Sequence, residues 1–140
     1  MSDQSYYVVL NVMDRVAEHA LKKFGSYSRF SKALGYSAPY FYKTLRDGSG
    51  FYFNTFLNAA KVLDLDPGYL LTGKNEKCFT DDHLSIEHIL RLKVPYKPST
   101  YLSIKSKIKH GKTKTVTLKT LFDFEEVSGI SVIKILKGEF

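Results

Sequence analysis

Apolar residues recur at three- and four-residue intervals near the start of the chain, which predicts a long amphipathic helix. Between Tyr6 and Phe24 the regularly spaced apolar positions are Val9, Met13, Val16, Ala20 and Phe24. These positions lie on one face of a helix, and that face is expected to be buried. Lys22 and Lys23 fall in the last turn, where cations complement the helix dipole, and Gly25 can end the helix. We expect residues 1–5 to be frayed.

The next segment has the pattern of two short helices joined by a glycine turn. Ser26 or Ser28 can cap the first of these helices, and Gly35 permits the sharp turn that follows it. Ser37 is predicted to cap the second helix, residues 38–46. Helix, glycine turn and helix together are typical of the helix-turn-helix motif.

Two faces can be assigned to the helix at 38–46. Phe41 and Leu45 are one helical turn apart and are expected to face the core. Tyr42, Lys43 and Arg46 project in other directions and are candidates for binding. A loop follows at 47–50, where the composition is Asp-Gly-Ser-Gly.

Further helices are predicted on both sides of a polar segment. One runs from about Asn54, its expected cap, to Leu63, and a short element follows at 67–71. Residues 72–80 are polar and form the best candidate linker, so we divide the chain into domains at 1–75 and 76–140. The second domain opens with a helix at 83–93.

The sequence contains an internal repeat. When the chain is aligned with itself, Phe41, Leu45, Arg46 and Gly48 correspond to Ile104, Ile108, Lys109 and Gly111. Beyond a slightly longer loop in the second copy, Thr55, Phe56, Leu57, Val62, Leu65, Leu70, Leu71 and Gly73 correspond to Thr120, Leu121, Phe122, Val127, Ile130, Ile135, Leu136 and Gly138. Apolar, basic and glycine positions match in type and order, which favours a duplicated unit.

A local pattern competes with the repeat in the second half. Residues 103–109 and 112–118 alternate between apolar and polar side chains around His110-Gly111, as the strands of a β-hairpin would. The repeat favours helices there. We therefore predict an all-α fold of two tandem small helical bundles, and a hairpin that clamps RNA or DNA remains a weaker alternative.

Charge favours a polyanionic partner. The chain carries 21 Lys plus Arg against 14 Asp plus Glu, a net charge of +7. Eight lysines and no acidic residue lie between Lys93 and Lys119. Most such lysines would provide affinity for phosphates without reading sequence.

Other features narrow the class of protein. The chain has a single cysteine, as is common in a reducing compartment, and its N-terminal region has no basic segment before the short apolar run, unlike a signal peptide. It also has no apolar stretch of about 20 residues that could span a membrane. We therefore expect a cytoplasmic protein that lies outside the membrane. Cys78, His83 and His88 have unsuitable spacing for a zinc site. No catalytic or phosphate-loop motif stands out, so we expect no enzyme, no cofactor and no metal.

Several segments resemble the DNA-binding domain of phage-repressor and Cro-type (Xre-like) regulators, which has the lambda-repressor-like fold. In the first half the similar segments are Leu34-Gly35-Tyr36-Ser37, Tyr40-Phe41-Tyr42-Lys43 with Gly48, and residues 62–73. In the second half they are residues 111–115, 118–121, 127–131 and 135–138. The second unit is divergent, because too few residues precede Leu84 for a full first helix.

The resemblance implies a sequence-specific regulator that binds double-stranded DNA, in which the second helix of the motif enters the major groove. The positions implied to contact DNA are Ser37, Ala38, Tyr42, Lys43 and Arg46 in the first unit, and Ser103, Lys105, Ser106, Lys109, Lys112 and Lys114 in the second. Such a chain would act as a repressor-type regulator, either as a homodimer or as a single-chain pseudo-dimer. The alternative is a helix-turn-helix scaffold that binds a protein partner, suggested by the many Tyr and Phe residues between 36 and 56.

Overall fold

The computed structural model describes residues 4–74 and 117–137, and over these residues the fold is all-α. The helices are α1 (Gln4–Phe24), α2 (Tyr27–Ala33), α3 (Tyr40–Arg46), α4 (Phe53–Leu63), α5 (Pro67–Thr72), α6 (Leu118–Ser128) and α7 (Val132–Lys137). Within the described ranges the only β pairing is an isolated antiparallel bridge between Tyr52 and Thr117. None of these helices is long and apolar enough to cross a membrane. The predicted helix at 83–93 and most of the alternative hairpin lie outside the described residues.

α1 is the central helix of the fold. The predicted apolar face is confirmed, because Val9, Met13, Val16 and Ala20 are fully buried. The expectation that residues 1–5 are frayed is wrong for the end of that segment. α1 already begins at Gln4, and the Ser5 hydroxyl donates a buried hydrogen bond to the Asp123 carboxylate, at 2.5 Å.

Of the helix caps predicted for α2 and α4, the structure confirms the one at α2 and not the one at α4. Ser26 caps α2, since its side chain accepts a hydrogen bond from the Arg29 backbone N–H. Asn54 does not cap α4, because that helix already begins at Phe53 and Tyr52 occupies the cap position without a side-chain hydrogen bond. Phe53, the first residue of α4, is itself buried in the core.

The C-terminal helices contribute to the core that α1–α5 form. Leu118, Leu121, Phe122 and Phe124 of α6 are buried in the same hydrophobic cluster as the apolar face of α1. α6 packs directly against α1. The described parts of the two predicted domains therefore share one core, while the predicted boundary at 75 and 76 lies outside the described residues.

The helix pair α6–α7 repeats the pair α4–α5 at the offset of the internal repeat. The alignment that places Thr55 on Thr120 also places both ends of α4 and of α5 on the ends of α6 and α7. The residues after α4 and α6 are Asp64 and Gly129, and both have a left-handed backbone conformation. Asp66 and Ser131 precede α5 and α7, and each side chain accepts a backbone hydrogen bond from the first turn.

Comparison of the two copies predicts a stabilising substitution. Asp64 has φ 57°, a left-handed conformation that costs an L-residue free energy. The equivalent residue of the second copy is Gly129, which adopts a left-handed conformation without that cost. We expect Asp64→Gly to raise the free energy of unfolding by about 0.5–1 kcal/mol. Urea denaturation followed by circular dichroism measures this change.

The control for this prediction is Asp47→Gly. Asp47 also follows a helix, but its φ is −83° and its carboxylate accepts a hydrogen bond from the Ser49 N–H. The same substitution should therefore lower stability at this position. A fall in stability for Asp64→Gly as well would show that backbone strain at Asp64 is not the dominant effect.

Candidate nucleic-acid interface

A buried serine holds α3 against α2. The Ser31 hydroxyl accepts a hydrogen bond from the Phe41 backbone N–H, at 2.9 Å, and donates one to the Tyr27 carbonyl oxygen, at 3.0 Å. Ser31 is fully buried. One of the N–H groups that the start of a helix leaves without an intrahelical partner is thus satisfied by the preceding helix. This contact fixes the position of the N-terminus of α3 relative to α2.

The predicted cap at Ser37 is wrong. α3 begins at Tyr40 rather than 38, and Ser37 lies in a turn in which its carbonyl oxygen accepts a hydrogen bond from the Tyr40 N–H, at 3.1 Å. Pro39 occupies the cap position and makes no side-chain hydrogen bond. The acceptor that a local cap would supply comes instead from Ser31, which belongs to the preceding helix.

Removal of the Ser31 hydroxyl should destabilise the protein. Ser31→Ala leaves the Phe41 N–H buried without its acceptor, and we expect a loss of about 1–3 kcal/mol in the free energy of unfolding. Ser28→Ala is the matched control, because Ser28 lies on the same helix and is exposed. Thermal unfolding of both variants tests the prediction, and equal losses would contradict a specific role for the Ser31 hydroxyl.

The outer face of α3 presents three polar side chains to solvent, as predicted. Tyr42, Lys43 and Arg46 are exposed, whereas Phe41 is fully buried and Leu45 packs against the core. The Arg46 guanidinium donates a hydrogen bond to the Tyr42 hydroxyl, at 3.2 Å, and lies 5.3 Å from the centre of the Tyr42 ring. The guanidinium therefore lies along the helix surface, over the Tyr42 ring.

The two remaining candidates of the first unit lie before α3 rather than on it. Ser37 is exposed beyond the N-terminus of the helix, and Ala38 is partly buried. Ser37 is therefore more accessible to a ligand than Ala38.

The charge on the two motif helices has one sign. Arg29 and Lys32 of α2 and Lys43 and Arg46 of α3 are exposed. The sequence contains no Asp or Glu between Gly25 and Arg46. The surface formed by these helices therefore attracts anions, and it carries few internal ion pairs that a ligand would have to break.

An aromatic cluster supports α3 from behind. The Tyr36 and Tyr40 rings stack with centroids 3.9 Å apart and planes 10° apart, and the Tyr36 and Thr55 hydroxyl groups are hydrogen-bonded at 3.2 Å. Phe41 packs against Phe30 and Phe51. Burial raises the pKa of Tyr40 above its ordinary value of 10.0. These contacts join α3 firmly to α2 and α4.

The candidate residues of the second unit cannot be compared in the same way. Ser103, Lys105, Ser106, Lys109, Lys112 and Lys114 lie outside the described residues. Cys78, His83 and His88 also lie outside them. The described interface is therefore the one that α2 and α3 form.

Three contributors to this candidate interface, Ser31, Arg29 and Lys32, are absent from the predicted site. Ser31 has no role in the predicted site, because its hydrogen-bond partners lie on another turn of α2 and on α3. Arg29 and Lys32 are not among the predicted contacts, although the absence of acidic residues from Gly25 to Arg46 is visible in the sequence. That run is the signal that could extend the candidate site from α3 to α2.

Comparison with protein-family models, with curated proteins and with solved structures found no significant match to this chain. The resemblance to Cro-type regulators therefore stays a hypothesis that rests on the residues themselves.

Proposed function

We propose that the protein is a sequence-specific regulator that binds double-stranded DNA through α3. The observation that carries the proposal is the exposed face of α3, where Tyr42, Lys43 and Arg46 project from a helix anchored on its other side. A helix of this kind fits the major groove of B-DNA, which is about 12 Å wide. α2 would then lie across the sugar-phosphate backbone.

The exposed side chains have complementary chemical roles in this arrangement. Arg46 has the planar donor geometry that pairs with the N7 and O6 acceptors of guanine. Lys43 provides a second donor to a base edge or a phosphate, and Tyr42 holds the Arg46 guanidinium in place. Arg29 and Lys32 on α2 supply contacts to phosphate that do not depend on sequence.

The close packing of α3 against its neighbouring helices favours sequence-specific recognition over non-specific electrostatic binding. Base-edge hydrogen bonds discriminate only when the donors are held in position, and otherwise ordering them costs conformational entropy. Here Ser31, the stacked Tyr36 and Tyr40 rings and the buried Phe41 fix α3 relative to its neighbours.

Selection of binding sites from random duplexes tests the proposal. The purified protein should enrich a defined sequence, and affinity for that sequence should exceed affinity for unrelated duplexes by about 10³-fold or more. Both affinities should fall as salt rises, because counterions are released from the phosphates. Enrichment of no sequence, with only weak salt-sensitive binding, would contradict the proposal.

A protein-binding module is the second proposal. It is supported by three exposed tyrosines, Tyr36, Tyr42 and Tyr52, which are 42%, 51% and 47% exposed. The phenylalanines of the same segment are not part of this surface, because Phe41, Phe51, Phe53 and Phe56 are buried. Recovery of a stoichiometric protein partner, together with failure of site selection, would favour this function over DNA binding.

A further inference from the structure

Tyr42 and Arg46 form a coupled pair on the exposed face of α3. They are four residues apart, so their side chains meet on one side of the helix. The Arg46 guanidinium lies over the Tyr42 ring, 5.3 Å from its centre, and donates a hydrogen bond to the Tyr42 hydroxyl, at 3.2 Å. The two side chains therefore approach a ligand together, and the group that one contacts restricts the groups that the other can reach.

The part of Tyr42 that Arg46 leaves free combines two chemical properties. Tyr42 is 51% exposed, so much of its ring is open to an apolar group. Its hydroxyl oxygen accepts the hydrogen bond from Arg46, and a phenol that accepts one hydrogen bond can still donate its own proton. The free edge of Tyr42 thus places a hydrogen-bond donor beside an apolar ring edge.

Thymine presents the matching pair of groups in the major groove. Its O4 atom accepts a hydrogen bond, and its C5 methyl group lies next to O4. Cytosine has an amino donor in place of O4 and no methyl group, and neither adenine nor guanine has a methyl group. Among the four bases, thymine is therefore the one that complements the free edge of Tyr42.

The spacing of the pair determines where this thymine lies. The Arg46 Nη1 atom and the Tyr42 hydroxyl oxygen are 3.2 Å apart. Successive bases of one strand are also about 3.4 Å apart along the duplex. When Arg46 binds the N7 and O6 atoms of a guanine, Tyr42 therefore reaches the adjacent base pair.

We propose that α3 recognises a base step in which a thymine adjoins a guanine. Arg46 binds the guanine, and the free edge of Tyr42 contacts the O4 atom and the methyl group of the thymine. The inference rests on the proposed function and adds the base step that α3 requires. It makes Tyr42 a residue that determines specificity, in addition to its contact with Arg46.

Base analogues in the selected duplex locate the two contacts. 7-Deazaguanine lacks the N7 acceptor, so the guanine bound by Arg46 is the one whose replacement weakens binding of the wild type but not of Arg46→Ala. Deoxyuridine lacks only the methyl group of thymine. Its introduction next to that guanine should weaken binding by about three- to fivefold, as expected for the loss of one buried methyl group. Fluorescence anisotropy measures both effects.

Three variants assign the methyl effect to Tyr42. Tyr42→Ala should bind the thymine and deoxyuridine duplexes equally, because no ring remains to contact the methyl group. Tyr42→Phe keeps the ring and should keep the difference between the duplexes. Tyr7→Ala is the matched control and should also keep the difference, because Tyr7 is an exposed tyrosine on α1, outside the helix-turn-helix motif.

The outcomes for DNA recognition and for the base step are distinguishable. Enrichment of no sequence would overturn both. A selected site in which no thymine adjoins a guanine bound by Arg46 would overturn the base step and leave sequence-specific DNA binding intact. Equal affinity of the wild type for the thymine and deoxyuridine duplexes, or a methyl effect that persists in Tyr42→Ala, would do the same. A methyl effect at the adjacent thymine that Tyr42→Ala abolishes and Tyr42→Phe retains supports the inference.

Discussion

Arg46→Ala should weaken binding to the selected DNA site by about 10- to 100-fold while the protein stays folded. Loss of a bidentate contact to guanine costs about 1–3 kcal/mol. Arg46 is exposed, so its removal should change the free energy of unfolding by less than about 0.5 kcal/mol. Fluorescence anisotropy with the selected duplex measures the affinity, and circular dichroism measures the stability.

Three further variants identify how Arg46 acts. Arg46→Lys keeps the charge but loses the planar pair of donors, so it should recover only part of the affinity. Tyr42→Phe removes the hydroxyl that accepts the Arg46 hydrogen bond and should have a smaller effect of the same sign. Lys61→Ala removes an exposed cation from α4 and should leave sequence preference unchanged.

Lys43 provides a second test of α3 as the recognition helix. Lys43→Ala should weaken specific binding and, if Lys43 contacts a phosphate, should reduce the dependence of log K on log salt by about one charge. Unchanged affinity for both Arg46→Ala and Lys43→Ala would show that α3 is not the recognition helix.

Gly50→Ala should strongly reduce the stability of the protein. Gly50 has φ +73°, and a Cβ atom there would lie 2.8 Å from Val9 Cγ1 and 3.4 Å from Leu118. Left-handed backbone costs about 1–2 kcal/mol for alanine, and overpacking a buried contact costs about 1–3 kcal/mol. We expect a combined loss of about 2–4 kcal/mol in urea denaturation.

Gly129→Ala separates these two contributions. Gly129 has almost the same φ, +74°, but within the described residues no atom apart from those of its chain neighbours lies within 4 Å of where its Cβ would be. Its substitution should therefore cost only the backbone strain, about 1–2 kcal/mol. Equal losses at the two positions would contradict a role for the contact of Gly50 with Val9 and Leu118.

The parts of the fold that local patterns determine can be predicted from the sequence. The spacing of Val9, Met13 and Val16 predicts the buried face of α1, and the internal repeat matches the ends of the helices. Ser26 and Ser28 are both recognisable as candidate caps because a helix start needs an acceptor nearby, and the structure has Ser26 in that position. The exposed face of α3 follows from the burial of Phe41 on its other side.

The features that could not be predicted depend on partners far away in sequence or on another helix. Ser37 has the position and chemistry of a cap for α3, yet Ser31 supplies the acceptor from the preceding helix. Asp123 would be expected at the surface, but it is buried beside Ser5, more than a hundred residues earlier, and paired with Lys119. Only the packing of α6 on α1 brings Ser5 and Asp123 together.

The packing of α6 on α1 also has a consequence for the order in which the protein folds. The surface of α1 that α6 covers remains uncovered on the ribosome until residues 118–128 have been synthesised. Contacts between residues so far apart in sequence form slowly, because closing the long loop between them costs conformational entropy. Duplication of a unit would ordinarily yield two parts that can fold one after the other. Here helices from both halves of the chain share one hydrophobic core. We therefore expect the two halves to unfold together in one cooperative transition.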